Sequence, residues 1–425
     1  MFENLQFNMA GGLDLPLPRM ARVRQLFDDH ALPDVAAAVT AELDKPGVGE
    51  SIKPGASIAV GVGSRGVNNI QTAVKALVAG LKTRSAEPFI FPAMGSHGGG
   101  TLEGQRSVLA GYGITEDEVG APIRCTMDTV VLGTLKNGTE VHMDRYASEA
   151  DGVVVINRIK PHTSYRAAIE SGITKMLTIG MGKINGATAL HGGNSMSDFG
   201  TVLPAAAQVI MDNRPFLFGI GMVEDAYDAT AIVEGLSAVS LFDREAELQA
   251  KAKSLMGRIQ IDDIDVLVID EIGKEISGAG FDPNITGRNA RGIAGFEHPR
   301  VKKIVLLDLT DATKGNASGI GCADVITQHL LSRIDFNYTY ANVVTSTYLD
   351  GAYIPIAMKT NSEAVALAVK TLTGVAPQDA RIVRIKNTLK LDEIAVSEPL
   401  LDEVRTHERM ELMSEPVAMD LDAAA

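Results

Sequence analysis

The sequence predicts an α/β protein made of two α/β domains with mostly parallel sheets. Three observations carry that expectation. Short β-branched runs alternate with longer amphipathic segments, and the apolar runs end in glycine-rich turns. Hydrophobic residues make up 45% of the chain and charged residues 22%, enough apolar side chains for each domain to bury a core. At 425 residues the chain is long enough for two or three domains.

Taken in order, ASIAVGV (56–62) reads as a buried strand and GSRG (63–66) as its turn. The next segment, 68–84, places apolar residues three and four apart and predicts a helix. PFIFPAM (88–94) is the next strand, with SHGGG as its exit loop and a helix over 102–112. GVVVIN (152–157) is a strand that leaves through RIKPHTSYR, and FLFGIGM (216–222) is another buried strand. A charged helix over 241–259 closes the first domain, residues 1–258. The second domain, 259–425, opens with the strand IDVLVID (264–270) and a glycine-rich stretch (271–295). It continues with a strand over 301–309 and a helix over 321–334. Repeated strand–loop–helix order implies a mainly parallel sheet, and ligands of such sheets sit beyond the carboxyl ends of strands. The expected active site is a cleft between the two domains.

Composition narrows the function. A net charge of −14 opposes nucleic-acid binding, which needs a cationic face. Cys125 and Cys322 make no paired spacing, so neither a disulfide framework nor a thiolate zinc site is expected, and a reducing cytoplasmic setting fits. The first residues lack the basic-then-apolar order of a signal peptide, and no apolar run is long enough to span a membrane.

Three of the eight histidines fall in or beside glycine-rich turns. His97 lies in AMGSHGGG at a strand end, where glycine lets the backbone turn tightly. Taken alone it is equally at home as a solvent-facing loop histidine. His162 follows Lys160–Pro161, and the proline stiffens the loop that carries it. Imidazole exchanges protons near neutrality, so two histidines at neighbouring strand ends can serve opposite faces of one carbon. Lys175 sits among apolar and small residues in SGITKMLTIGMG, which partly desolvates its amine and suits a nucleophile or covalent anchor. A lysine snorkelling to the surface is the plainer alternative. His191 stands at another glycine turn, before Gly192 and Gly193. Gly180, Gly182 and Lys183 form a turn able to cradle a phosphate, and Ser64 and Gly95 complete the expected cofactor-binding set. Gly61, Gly63 and Gly66 match the dinucleotide spacing, but no acid follows at the second strand end. P-loop, serine-hydrolase elbow and zinc-protease patterns are missing.

Together these residues resemble the nickel-pincer-nucleotide-dependent racemases and epimerases, the lactate racemase family, most strongly from Ser64 to Gly193. The resemblance implies that His97 and His162 are the catalytic acid and base. It implies that Lys175 tethers the cofactor and that His191, sixteen residues later, binds nickel. Arg65 corresponds to the arginine that meets the substrate carboxylate, although Val62 stands where the family has an aspartate. After Asp282–Pro–Asn284, Thr286 and Arg288 stand where the family presents a glutamine and a lysine to the substrate. That departure suggests a 2-hydroxy acid other than plain lactate. The implied reaction is racemisation by hydride transfer to and from the nickel pincer nucleotide, with the cofactor-synthesis enzymes as partners. Two other readings remain open: a cofactor-free two-base racemase or dehydratase, and a non-catalytic protein that binds the pincer nucleotide.

Overall fold

The computed structural model describes residues 9–63, 66–289, 292–419 and 421. The chain divides into two compact units, Asp29–Met256 and Met1–Asp28 together with Gly257–Ala425. The break in the middle follows the helix Leu241–Leu255, near the expected position. The assignment of the first residues to the N-terminal domain is corrected. Strand Met20–Gln25 pairs antiparallel with Glu393–Ser397 and Met410–Leu412. Its buried Met20, Ala21, Val23 and Gln25 fill a position in the sheet of the other unit.

In Asp29–Met256 the main sheet has five strands, in spatial order Glu87–Pro92, Ser57–Val62, Gly152–Arg158, Phe216–Glu224 and Thr230–Ser237. All neighbours are parallel except the last pair. Alternation at period two explains its burial on both faces. Ile58, Val60, Val62, Val154 and Ile156 join one apolar cluster, and Ala59, Val153 and Val155 join the other. Helix Ile70–Thr83 covers the first face because Ile70, Ala73, Val74, Leu77 and Leu81 recur on one side, and all are buried. Helices Phe199–Asn213 and Leu241–Leu255 supply Phe199, Leu203, Leu241 and Leu248 to the second face. The chain leaves Ser57–Val62 for the strand on one side and returns to Gly152–Arg158 on the other. This is the switch point at which an α/β sheet opens a crevice beyond its strand ends.

The other unit carries an eight-stranded mixed sheet in which Asp263–Ile272 lies parallel to Arg300–Leu309 and Ile382–Ile385. The helix expected over 321–334 is not continuous. Val325–Thr327 is a strand, parallel to Arg300–Leu309 and Ile356–Met358, and only Gln328–Ser332 is α-helical. The β-branched Val-Ile-Thr run suits a buried strand, and the Thr327 hydroxyl then caps the helix by accepting from Leu330 N. Among the described residues no helix is long and apolar enough to cross a membrane.

Candidate active site

Residues from Ile173 to Gly193 form a helical stretch in three parts. It comprises a turn of α-helix, Ile173–Lys175, a π-helical turn, Met176–Gly180, and the helix Lys183–Gly193. π-Helical turns interrupt regular hydrogen bonding and are often found where a helix carries function. Lys175 is half-buried at the first junction, and His191 is half-buried near the far end.

The His162 loop meets this stretch. Lys175 Nζ lies 2.9 Å from His162 Nε2. The backbone N–H of Ser164 donates to His162 Nδ1 at 3.1 Å. With Nδ1 used as an acceptor, the neutral imidazole carries its hydrogen on Nε2. Its contact with Nζ is then a hydrogen bond when the lysine supplies a lone pair, so the geometry favours the free amine. A chain of rings continues to the other histidine. His162 packs on Tyr165 with centroids 4.4 Å apart, Tyr165 on Phe199 at 5.8 Å, and Phe199 on His191 at 5.0 Å.

Two buried carboxyl groups hold these pieces. Glu170 accepts from His162 N at 2.8 Å and Ala167 N at 3.1 Å, and Lys253 reaches it at 2.6 Å. Glu245 receives the backbone N–H groups of Ile173 and Thr174 and the Thr174 hydroxyl. Burial pushes the Glu245 carboxyl up to about 7, and the hydrogen bonds from Thr174 and Ile173 work against that rise. The phenol of Tyr165 is raised as well, chiefly by burial and then by the nearby Glu170 and Glu245, and its hydroxyl donates to the Glu170 carbonyl.

The His97 loop docks on the same helical stretch through its backbone. Gly95 N donates to Gly180 O at 2.9 Å. Gln105 Nε2 donates to the carbonyls of Gly95 and His97 at 2.8 and 3.3 Å, while the His97 side chain is exposed. Gly98 needs its left-handed backbone, φ +66°, and a Cβ there would lie 2.6 Å from Gln105 N. The end of strand Ser57–Val62 also converges here, because a Cβ at Gly63 would lie 3.2 Å from Met176 Sδ. Ser64 and Arg65, expected for cofactor and substrate carboxylate, lie outside the described residues.

Lys183 is a correction. Its side chain is fully buried, 3.0 Å from an Asp144 oxygen, and it donates to Pro92 O and Gln105 Oε1. Burial lowers the Lys183 amine and raises the Asp144 carboxyl from their ordinary values, and the attraction between the two opposes both shifts. An ammonium enclosed in this way ties the end of strand Glu87–Pro92 to the His97 loop and does not reach out to a phosphate. The neighbouring glycines have internal reasons too. A Cβ would come within 2.8 Å of Ala93 O at Gly180, 2.6 Å of Thr178 O at Gly182 and 3.1 Å of Ile179 O at Gly95.

The two expected substrate residues of the other unit are also placed differently. Thr286 is fully buried in a helical turn capped by Asp282. Arg288 spends its guanidinium on Asp324 and on the carbonyls of Val301, Lys302 and Cys322, so it closes an internal loop. The residues that sequence reasoning missed are Gln105, Ser164, Tyr165, Glu170, Phe199 and Glu245. One signal was present: Glu245, Gln249 and Lys253 recur every fourth residue and form a polar stripe on a helix otherwise packed by leucines.

Residues 13–199 match the lactate racemase N-terminal domain. The fold is similar to that of the lactate racemase apoprotein from Thermoanaerobacterium thermosaccharolyticum, with a TM-score of 0.50 and 13% identity over 91% of this chain and 96% of that one. It is also similar to a crystal structure of a Thermotoga maritima protein, with a TM-score of 0.52 and 15% identity over 86% of this chain and 99% of that one. No curated protein matches the chain. The segment matched to the lactate racemase N-terminal domain, residues 13–199, holds His97, His162, Lys175 and His191.

Proposed function

We propose that the protein racemises or epimerises a 2-hydroxy acid, with a nickel pincer nucleotide attached at Lys175 and nickel held by His191. The observation that supports this reading best is the 2.9 Å contact between Lys175 Nζ and His162 Nε2, joined by packed rings to His191. An imidazole N–H facing the lysine favours its neutral form, the form in which an amine can act as a nucleophile.

The residues that would hold the group are Lys175 and His191, a half-buried amine and a half-buried imidazole on one helical stretch. Among the described residues no three His, Cys, Asp or Glu side chains cluster as a ready-made metal site. A nickel ion on His191 would therefore draw its remaining donors from a bound molecule, and soft planar donors suit nickel. When bound, the group supplies a hydride acceptor and donor for the substrate carbon. The chain's own residues do the rest. Arg65 takes the carboxylate of the acid, for which its planar fork is matched. His162 and His97 remove and return the hydroxyl proton. Tyr165 and Phe199, both fully buried, pack between His162 and His191 and keep water from that side of the two imidazoles.

The test is optical inversion across a panel of 2-hydroxy acids, with protein produced alongside the cofactor-synthesis enzymes and assayed in deuterated water. Inversion with the C2 hydrogen retained supports the proposal. Deuterium entering C2 would favour a two-base racemase, and a loaded protein inert to the whole panel would favour a binding protein. His191→Ala is expected to lose nickel, measured by metal analysis, with the fold unchanged.

A further inference from the structure

The two residues in contact at 2.9 Å come from separate segments, the loop after strand Gly152–Arg158 and the helical turn Ile173–Lys175. The loop is tied to itself, by Ser171 Oγ to Lys160 O and Tyr165 OH to Glu170 O, and the turn runs on into the π-helical turn, but these bonds lie within each segment. Both are gripped by one face of one helix, Leu241–Leu255. Glu245, fully buried, takes up the N–H groups of Ile173 and Thr174 and the Thr174 hydroxyl. One turn on, Gln249 Oε1 accepts from Glu170 N at 3.4 Å. A further turn on, Lys253 Nζ meets Glu170 Oε1 at 2.6 Å, while the other Glu170 oxygen holds His162 N. The fit around the first carboxylate is close. Gly172 has φ +115°, and a Cβ there would lie 2.2 Å from Glu245 Oε1.

We infer that the Glu245–Gln249–Lys253 stripe is the positioning element that sets Lys175 against His162, with Glu245 its principal residue. Resting on the reading that Lys175 is the anchoring amine, this assigns a task to a helix outside the family-matched segment. Residues four apart on a helix share a face at a fixed rise, so one rigid element spaces the two grips. A carboxylate with two oxygens meets three donors at once, fixing both the direction and the depth of the Lys175 turn. Glutamine at this position keeps an oxygen for the two backbone N–H groups, and its amide can donate to the Thr174 hydroxyl.

The experiment acylates the bare full-length chain with a small amine-directed acetylating reagent at neutral pH. It reads the rate at Lys175 against the other lysines by peptide mass spectrometry. Glu245→Ala should lower the Lys175 rate roughly tenfold, because misplacement by about 1 Å removes the His162 contact. Glu245→Gln should restore it, and the other lysines should not change. A folded Glu245→Ala chain with unaltered Lys175 reactivity overturns the inference. If that variant does not fold, Lys253→Ala carries the same test from the exposed side of the stripe, a slower Lys175 supporting the assignment and an unchanged one refuting it. Since no cofactor takes part, failure here leaves the racemase reading standing. Absence of any adduct on protein made with the cofactor-synthesis enzymes would sink that reading and leave the positioning result intact.

Discussion

Lys175 and Lys183 lie eight residues apart on one helical stretch, and the fold uses them in opposite ways. Lys183 is wholly enclosed, paired with Asp144 and bonded to two further oxygens, on a left-handed backbone with φ 54°. Lys175 is half-exposed and faces an imidazole that carries no formal charge when neutral. One amine is neutralised by structure, and the other is the one proposed here as the anchor. A reactive lysine is therefore marked by a partner that accepts the free-amine form, since burial alone does not separate the two.

Removing each lysine should separate the roles. Lys175→Ala is expected to abolish cofactor attachment and cut inversion by roughly a thousandfold or more, with little change in unfolding. Lys183→Met should do the reverse. It leaves the Asp144 carboxylate buried without its cation, costing about 3–5 kcal/mol in urea unfolding. A stable Lys183→Met chain would break the comparison.

The third effect is set by pH. Glu245 stands at about 7 in the folded chain against an ordinary value of 4.5. The folded state thus holds a proton that the unfolded chain has released. The stability from this group is fully present below 4.5 and is lost as pH rises through about 7. The loss is of the order of 3 kcal/mol. Glu245→Gln should flatten that window, so the gap between variant and wild type in urea unfolding should widen in the variant's favour from pH 4.5 to 8. A gap that stays constant would place the carboxyl outside this range. The smallest expected effect is Tyr165→Phe, which loses the hydroxyl bond to the Glu170 carbonyl and costs about 1 kcal/mol while keeping the ring between His162 and Phe199.

Where sequence reasoning succeeded, local signals were enough. Runs such as SIAVGV and GVVVINR are apolar because both faces are covered, and they appear as strands within a residue or two of expectation. His162 and Lys175 drew notice in the sequence because each combines a chemical group with a stiff or apolar neighbourhood, and the structure brings the two side chains into contact. The rest depended on partners far along the chain. Met20–Gln25 alternates with arginines and looks like surface until Glu393–Ser397 and Met410–Leu412 flank it. Lys183 follows a glycine turn that mimics a phosphate site, and only Asp144 and Gln105 show that it points inward. Arg288 resembles a substrate ligand in spacing, yet Asp324, thirty-six residues later, claims it. Glu245 passes for an ordinary charge on an amphipathic helix until the N–H groups of Ile173 and Thr174 are seen above it.

The most direct measurement is peptide mass spectrometry of the protein produced together with the cofactor-synthesis enzymes, scoring every lysine for added mass. The account predicts an adduct on Lys175 and none on Lys183. Modification at Lys183 or at some other lysine, or none at all, would contradict it.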